Sequence, residues 1–158
     1  MKSTEILDGL NGLLIRQWPE RTVYVDVCPV DFERPSFWLA VEKNERRDAG
    51  RFLVRRELTV KLTIFDAKDE HYESSWYRLA GDTDLCAELF SGVLAVGGGT
   101  LKLTAKGAPR DPDRAYLMIS TSWMEPREQA QSQEPAAEHY HLSVHTDGKK
   151  IYETELIK

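Results

Sequence analysis

The chain has 158 residues, 41% of them hydrophobic and 30% charged, with a formal net charge of −5. This is the composition of a folded domain that can bury a core without disulfides or metal, not of a disordered or fibrous chain. The acidic balance argues against broad nucleic-acid binding, which usually needs a basic surface.

Cys28 and Cys86 are far apart and in no motif. Two such residues make no disulfide framework, so reduced thiols and an intracellular origin are expected. Residues 1–9 (MKSTEILDG) lack the apolar core of a signal peptide, and no apolar run approaches the ~20 residues of a membrane span.

Residues 3–17 predict a helix, with Ile6, Leu10, Leu13 and Leu14 on one face and Ser3 as the N-cap. Gly9 and Gly12 weaken it by roughly 1 kcal/mol each relative to alanine, so it must lean on tertiary contacts. Residues 22–28 (TVYVDVC) and 36–43 (SFWLAVEK) predict strands separated by a loop. In the second strand Phe37, Leu39 and Val41 share one face, which sends Trp38 to the other. Residues 44–50 (NERRDAG) read as a charged turn and 51–66 as a long strand. Leu58, Val60, Leu62 and Ile64 alternate there with Glu57, Thr59, Lys61 and Thr63, which predicts one buried and one wet face.

Residues 69–91 predict a second helix, with Tyr72, Trp76, Leu79, Thr83, Cys86 and Phe90 as its apolar stripe. Gly97 to Gly99 read as a turn, residues 100–105 and 115–124 as strands, and 107–114 as the turn between them. In the latter strand Leu117, Ile119, Thr121 and Trp123 share a face. Residues 125–137 carry two prolines and no large apolar side chain, which reads as a solvated loop. Residues 138–158 then form a hairpin turning at Asp147-Gly148, a strong type I′ signal. The whole reads as one α+β domain over 1–158: a mostly antiparallel sheet, two helices packed on one face, and a C-terminal β-hairpin. The expected core comprises Leu58, Leu62, Ile64, Trp76, Leu79, Phe90, Leu117 and Ile119.

Few motifs carry chemistry. His139, His141 and His145 fall on one side of a strand, and a His-x-His pair can hold zinc. No further ligand cluster accompanies them, and Tyr140, Leu142 and Val144 take the buried side. A wet strand face is the plainer reading, and no metal or cofactor is expected. Gly97-Gly98-Gly99 precedes a strand where a phosphate loop needs a helix. No serine sits in a nucleophile elbow and no cysteine has a histidine near it in sequence, so no catalytic residue is assigned. Arg46, Arg47, Arg51, Arg55 and Arg56 concentrate charge around one turn. They read either as a solvated rim or as an electrostatic docking surface. Trp38, beside charged positions on the face away from the core, reads either as an oligomer contact or as covered by a second layer.

The first ninety residues resemble the small tail-terminator proteins of long-tailed bacteriophages and prophages. The resemblance rests on Ile6 to Leu14 with Gly9, then Pro19 with Val23-Tyr24, then Pro35-Ser36-Phe37-Trp38-Leu39, then the strand from Leu58 to Phe65, followed by a helix, a glycine turn and two strands. The charged segment 125–137 and the Asp147-Gly148 hairpin depart from the family pattern. The resemblance implies a structural protein rather than an enzyme. It would form a ring, sixfold as in the family, that caps the tail tube, stops its polymerisation and joins the head-side connector. Its partners would be copies of itself, the tail tube protein and the connector, with no membrane and no direct nucleic-acid recognition. It would be made in the host cytoplasm and end in the virion tail. The interface candidates are then Trp38, the five arginines, Asp147 and Gly148. Another head–tail or baseplate ring part is one alternative, and a small metal-binding protein or enzyme using the histidine strand is the other.

Overall fold

The alternating run through Leu58, Val60, Leu62 and Ile64 lies in the middle strand of a five-stranded sheet. The computed structural model describes residues 1–127, 139–146 and 149–157. The chain divides into two compact units, Met1–Arg127 and Glu128–Lys158.

The first unit contains α1 (Ser3–Gln17), β1 (Thr22–Val25), β2 (Ser36–Asp48), β3 (Leu53–Phe65), α2 (Trp76–Leu89), β4 (Val93–Val96), β5 (Gly99–Lys102), β6 (Thr104–Asp111) and β7 (Arg114–Pro126). The sheet order is β1-β2-β3-β7-β6. β1 pairs parallel to β2, and every other neighbour is antiparallel. β4 and β5 form a separate small hairpin. The fold is α+β with a mostly antiparallel sheet, as expected.

One hydrophobic core joins the helices to one sheet face. α1 contributes Ile6, Leu10 and Leu14, and α2 contributes Leu79 and Cys86 with Phe90 at its end. They pack on Phe37, Leu39, Leu58, Val60, Leu62, Ile64, Leu117 and Ile119, while Leu94 and Leu101 of the β4–β5 hairpin and Leu103 just after it close the core. Arg21 ties the α1–β1 connection to α2 by an ion pair with Asp82 at 2.7 Å, and its guanidinium stacks on Phe37.

Several expectations are corrected. Trp76 is 52% exposed rather than in the core. α2 starts at Trp76 because the residues before it have better local partners. Asp69 accepts the amides of His71 and Glu73 through its carboxylate, Lys68 bridges to Ser74, and the Ser74 amide bonds Pro112. Tyr72, in a left-handed conformation within that turn, points to solvent. Trp76 therefore opens the helix and packs beside Arg110 of edge strand β6. Val41 is also exposed, next to a register shift in the β2–β3 ladder.

Ser3 is not the N-cap. Glu5 accepts the Lys2 amide at 2.8 Å, while the Ser3 hydroxyl accepts a bond from Asn44 of β2. The glycine turn is the tip of β4–β5, with Gly97 and Gly98 at positive φ. β6 runs on to Asp111, and Glu125 and Pro126 belong to β7.

The helix glycines differ in their surroundings. A Cβ on Gly9 would meet Leu94 at 3.1 Å, so this glycine admits the β4–β5 hairpin against α1. A Cβ on Gly12 would meet only the tip of Arg16 at 3.9 Å.

In the second unit, β8 (His139–Thr146) and β9 (Lys149–Ile157) pair antiparallel. Asp147 and Gly148, expected at their turn, lie outside the described residues, as does most of the polar loop.

Leu62→Ala should lower stability by roughly 2–5 kcal/mol, because Leu62 is fully enclosed by the core. Chemical denaturation of the two proteins measures it. Gly12→Ala should raise stability by about 1 kcal/mol through helix propensity. Gly9→Ala should gain less or lose, since Leu94 must yield. Thermal melts of the two variants side by side test that order.

Candidate functional site

The five arginines lie on an arm. β2 and β3 pair from Ser36↔Phe65 out to Asp48↔Val54, with one register shift between Val41 and Lys43, and β7 follows β3 as far as Leu53↔Pro126. β1 reaches only Leu39 along β2, and β6 reaches only Ser120 along β7. Beyond those points the sheet narrows to a three-stranded ribbon, and among the described residues both of its outer edges are unpaired. Ser120 lies opposite Thr59, which pairs with Lys43, so the three-stranded part covers the five positions of β2 from Asn44 to Asp48, an arm roughly 15 Å long at about 3.3 Å per residue. The expected charged turn, residues 44–50, is thus mostly strand. Its polar residues are held extended by ladder hydrogen bonds to β3.

Alternation divides the arginines between two faces. Arg46 and Arg56 are direct partners across the ladder and lie on the helix side. Arg56 reaches Glu125 and Asn44 at 3.4 Å each and stacks on Trp123. It continues the core face where the helices stop, so its role is largely structural. Arg46 approaches the same Glu125 oxygen at 4.0 Å and stays more than half exposed. Arg47 and Arg55 face one another on the other side. Arg47 bonds Glu45, whose carboxyl is held below its usual range by Arg47 and Lys43.

The tip is fastened to β7. The Arg127 amide donates to Phe52, and its guanidinium pairs with Asp48 at 2.6 Å. Gly50 at the turn has φ +155°, a conformation rare for residues with a side chain. The tip presents exposed Arg51, Phe52 and Leu53, with Arg51 stacked on the Phe52 ring. Sequence reasoning found the arginines but missed Phe52 and Leu53. Trp38 lies on the face away from the helices, as expected. It is half-buried, and its indole donates to the Asp26 carbonyl at 3.2 Å.

The opposite end of β3 carries a charged knot. Asp113 receives Arg34 at 2.7 Å, Arg114 at 2.9 Å and Lys68 at 3.2 Å. Hydrogen bonds from Arg114, then Lys68 and Arg34, hold its carboxyl well below the usual carboxylate range, against the opposing effect of partial burial. Arg34 and Arg114 also stack on Phe65, which packs on Phe32 at 4.2 Å between centroids. The knot binds the loop before β2, the end of β3 and the β6–β7 turn.

The nucleophile candidates are quiet. Burial pushes the Cys86 thiol up to about 12, which keeps it protonated. Cys28 is raised in the same way. In the polar cleft between Glu57, Lys102 and Ser122, the Ser120 hydroxyl partners the Thr59 hydroxyl, not a base. Among the described residues no three His, Cys, Asp or Glu side chains converge as metal ligands. His139, His141 and His145 stand in β8 opposite Ile157, Glu155 and Lys150, and their side chains lie outside the description. Among the described residues no helix is long and apolar enough to cross a membrane. No protein-family model matches the chain, and no curated protein matches it in sequence.

The depressed Asp113 carboxyl contributes stability that is present above its unfolded value, near 3.8, and lost as pH falls towards the folded value. Asp113→Asn should therefore melt earlier than the wild type at neutral pH. The gap between them should narrow as pH drops from about 5 to about 2. Melting curves across that range decide it, and a constant gap would remove the charge from the explanation.

Proposed function

We propose that this protein is a tail-terminator-like assembly protein, forming a ring on the end of a bacteriophage tail tube. The observation that carries the reading is the arm. A ribbon with free edges, a cationic rim and exposed apolar residues at its tip has the chemistry of a subunit contact rather than of a reaction site. The element order and motifs of the first ninety residues support the same reading through their resemblance to the terminator family. A ring is closed by a head-to-tail interface, in which two different surfaces of each subunit meet. The arm supplies one such surface.

The function needs no cofactor. It needs a chain that stays soluble until a finished tube end presents itself. The charges along the arm serve that requirement, because charged side chains on open strand edges oppose indiscriminate edge-to-edge pairing. Copies of this chain, the tube protein and the head-side connector are the proposed partners, and no nucleic acid is read.

Deleting the gene in a producing phage should give overlong or headless tails by electron microscopy. Arg46→Glu with Arg47→Glu should do the same while leaving the melting curve of the purified protein unchanged, since both side chains are exposed. Normal-length tails on infectious particles after deletion would overturn the terminator reading. Full-length tails that merely fail to join heads would move the ring to the head side.

A further inference from the structure

The arm tip has a chemical counterpart elsewhere on the same chain. Arg51 and Arg55 make no ion pair among the described residues, and they flank exposed Phe52 and Leu53. The loop between β1 and β2 has the opposite character. The run from Thr22 to Glu33 (TVYVDVCPVDFE) contains three carboxylates, Asp26, Asp31 and Glu33, and no lysine or arginine. None of the three is ion-paired among the described residues, and Glu33 only accepts a bond from Thr22. Val27 and Val30 stand out between them at 74% and 101% exposure. These are large values for valine in a chain that buries a well-formed core.

The loop is built to hold that surface in place. The Asp26 amide bonds Leu39, the Val27 amide bonds Val25, the Glu33 amide donates to the Tyr24 hydroxyl, and Trp38 donates to Asp26. Asp26 itself adopts φ +66°, a left-handed conformation that these bonds fix. A pre-ordered loop gives up little freedom on docking.

Geometry selects the partner. The loop leads into β2 at Ser36, and the tip leaves β2 at Asp48. Asp26 bonds Leu39, so its end of the loop is the nearer one, and the nine steps from Leu39 to Asp48 still span roughly 30 Å, too far for a chain's own tip to reach its own loop. We infer that the cationic, apolar tip at Arg51, Phe52, Leu53 and Arg55 docks on the Asp26–Glu33 loop of a second copy, against Val27, Val30, Asp26 and Asp31. Two different, complementary surfaces set apart on one subunit define a head-to-tail contact, which propagates and can close into a ring. The inference rests on the ring reading and names the surface that the arm would meet.

The test uses charge reversal in the full chain. Arg51→Glu with Arg55→Glu reverses the tip, and Asp26→Lys with Asp31→Lys reverses the loop. Each variant alone should need a concentration roughly tenfold or more above wild type to assemble, in solution or on purified tube ends, because like charges then face each other. An equimolar mixture should assemble again. Reversed tips find reversed loops, wild-type tips find wild-type loops, and the two variants alternate around the ring. Analytical ultracentrifugation and negative-stain microscopy read the outcome. As a second measurement, Phe52→Cys and Val30→Cys copies, both carrying Cys28→Ser, should cross-link only when mixed, with the bond mapped between residues 52 and 30. Variants that assemble like wild type, a mixture that fails to recover, or cross-links mapped elsewhere would overturn the tip–loop contact while wild-type rings leave the ring reading standing. A wild-type chain that stays monomeric at every concentration and on tube ends would remove both.

Discussion

Leu58, Val60, Leu62 and Ile64 leave β3 on the same side of the sheet, and β3 is hydrogen-bonded along its whole length on both edges, to β2 and to β7. A slip of one residue in either ladder would carry all four side chains to the opposite face and expose them. The register is therefore fixed by burial, and everything else is placed relative to it. Both helices pack on the face that these residues define. Because the same ladders run on past the helices, they also project the arm. Core and candidate interface are two parts of one strand.

The ends of β3 are stabilised by different chemistry. At the Phe65 end, three cations surround Asp113 while two guanidiniums cover an aromatic pair, so charge and stacking fasten loops that bury little apolar surface of their own. At the arm end, Arg56 takes a core-face position with Trp123 and Glu125, and Asn44 links it to Ser3 at the start of α1. A guanidinium can do this because its flat face stacks on an indole while its edge bonds a carboxylate. The helices need cover only the middle of the sheet.

The arm's open edges carry a hazard as well as an opportunity. Unpaired strand edges recruit other chains, and proteins restrain them with charge and proline. Lys43, Glu45 and Arg47 lie along β2, and Pro126 closes β7. The tip relaxes that restraint, placing Phe52 and Leu53 in the open among cations. Charge along the sides with apolar side chains at the end would confine association to one place, as the proposed ring contact requires.

The sequence by itself determined the elements whose patterns are intrinsic. The α1 stripe of Ile6, Leu10 and Leu14, the alternation of β3 and that of β7 through Leu117 and Ile119 each bury the residues their spacing indicates. A side chain's face follows directly from helical or strand geometry. The five arginines were legible as a cluster for the same reason, as was Trp38 on the face away from the core. Only the tertiary structure decided the rest. Residues 44–48 have a loop's composition, yet they are strand because β3 supplies their hydrogen-bond partners. Residues 69–75 continue a helical stripe, yet Asp69, Ser74 and the β6–β7 turn offer their backbone better partners than a helix would. That same competition leaves Trp76 at the surface. Phe52, Leu53, Val27 and Val30 read as ordinary apolar residues until the fold leaves them uncovered, because exposure is set by what packs from elsewhere in the chain and not by local pattern.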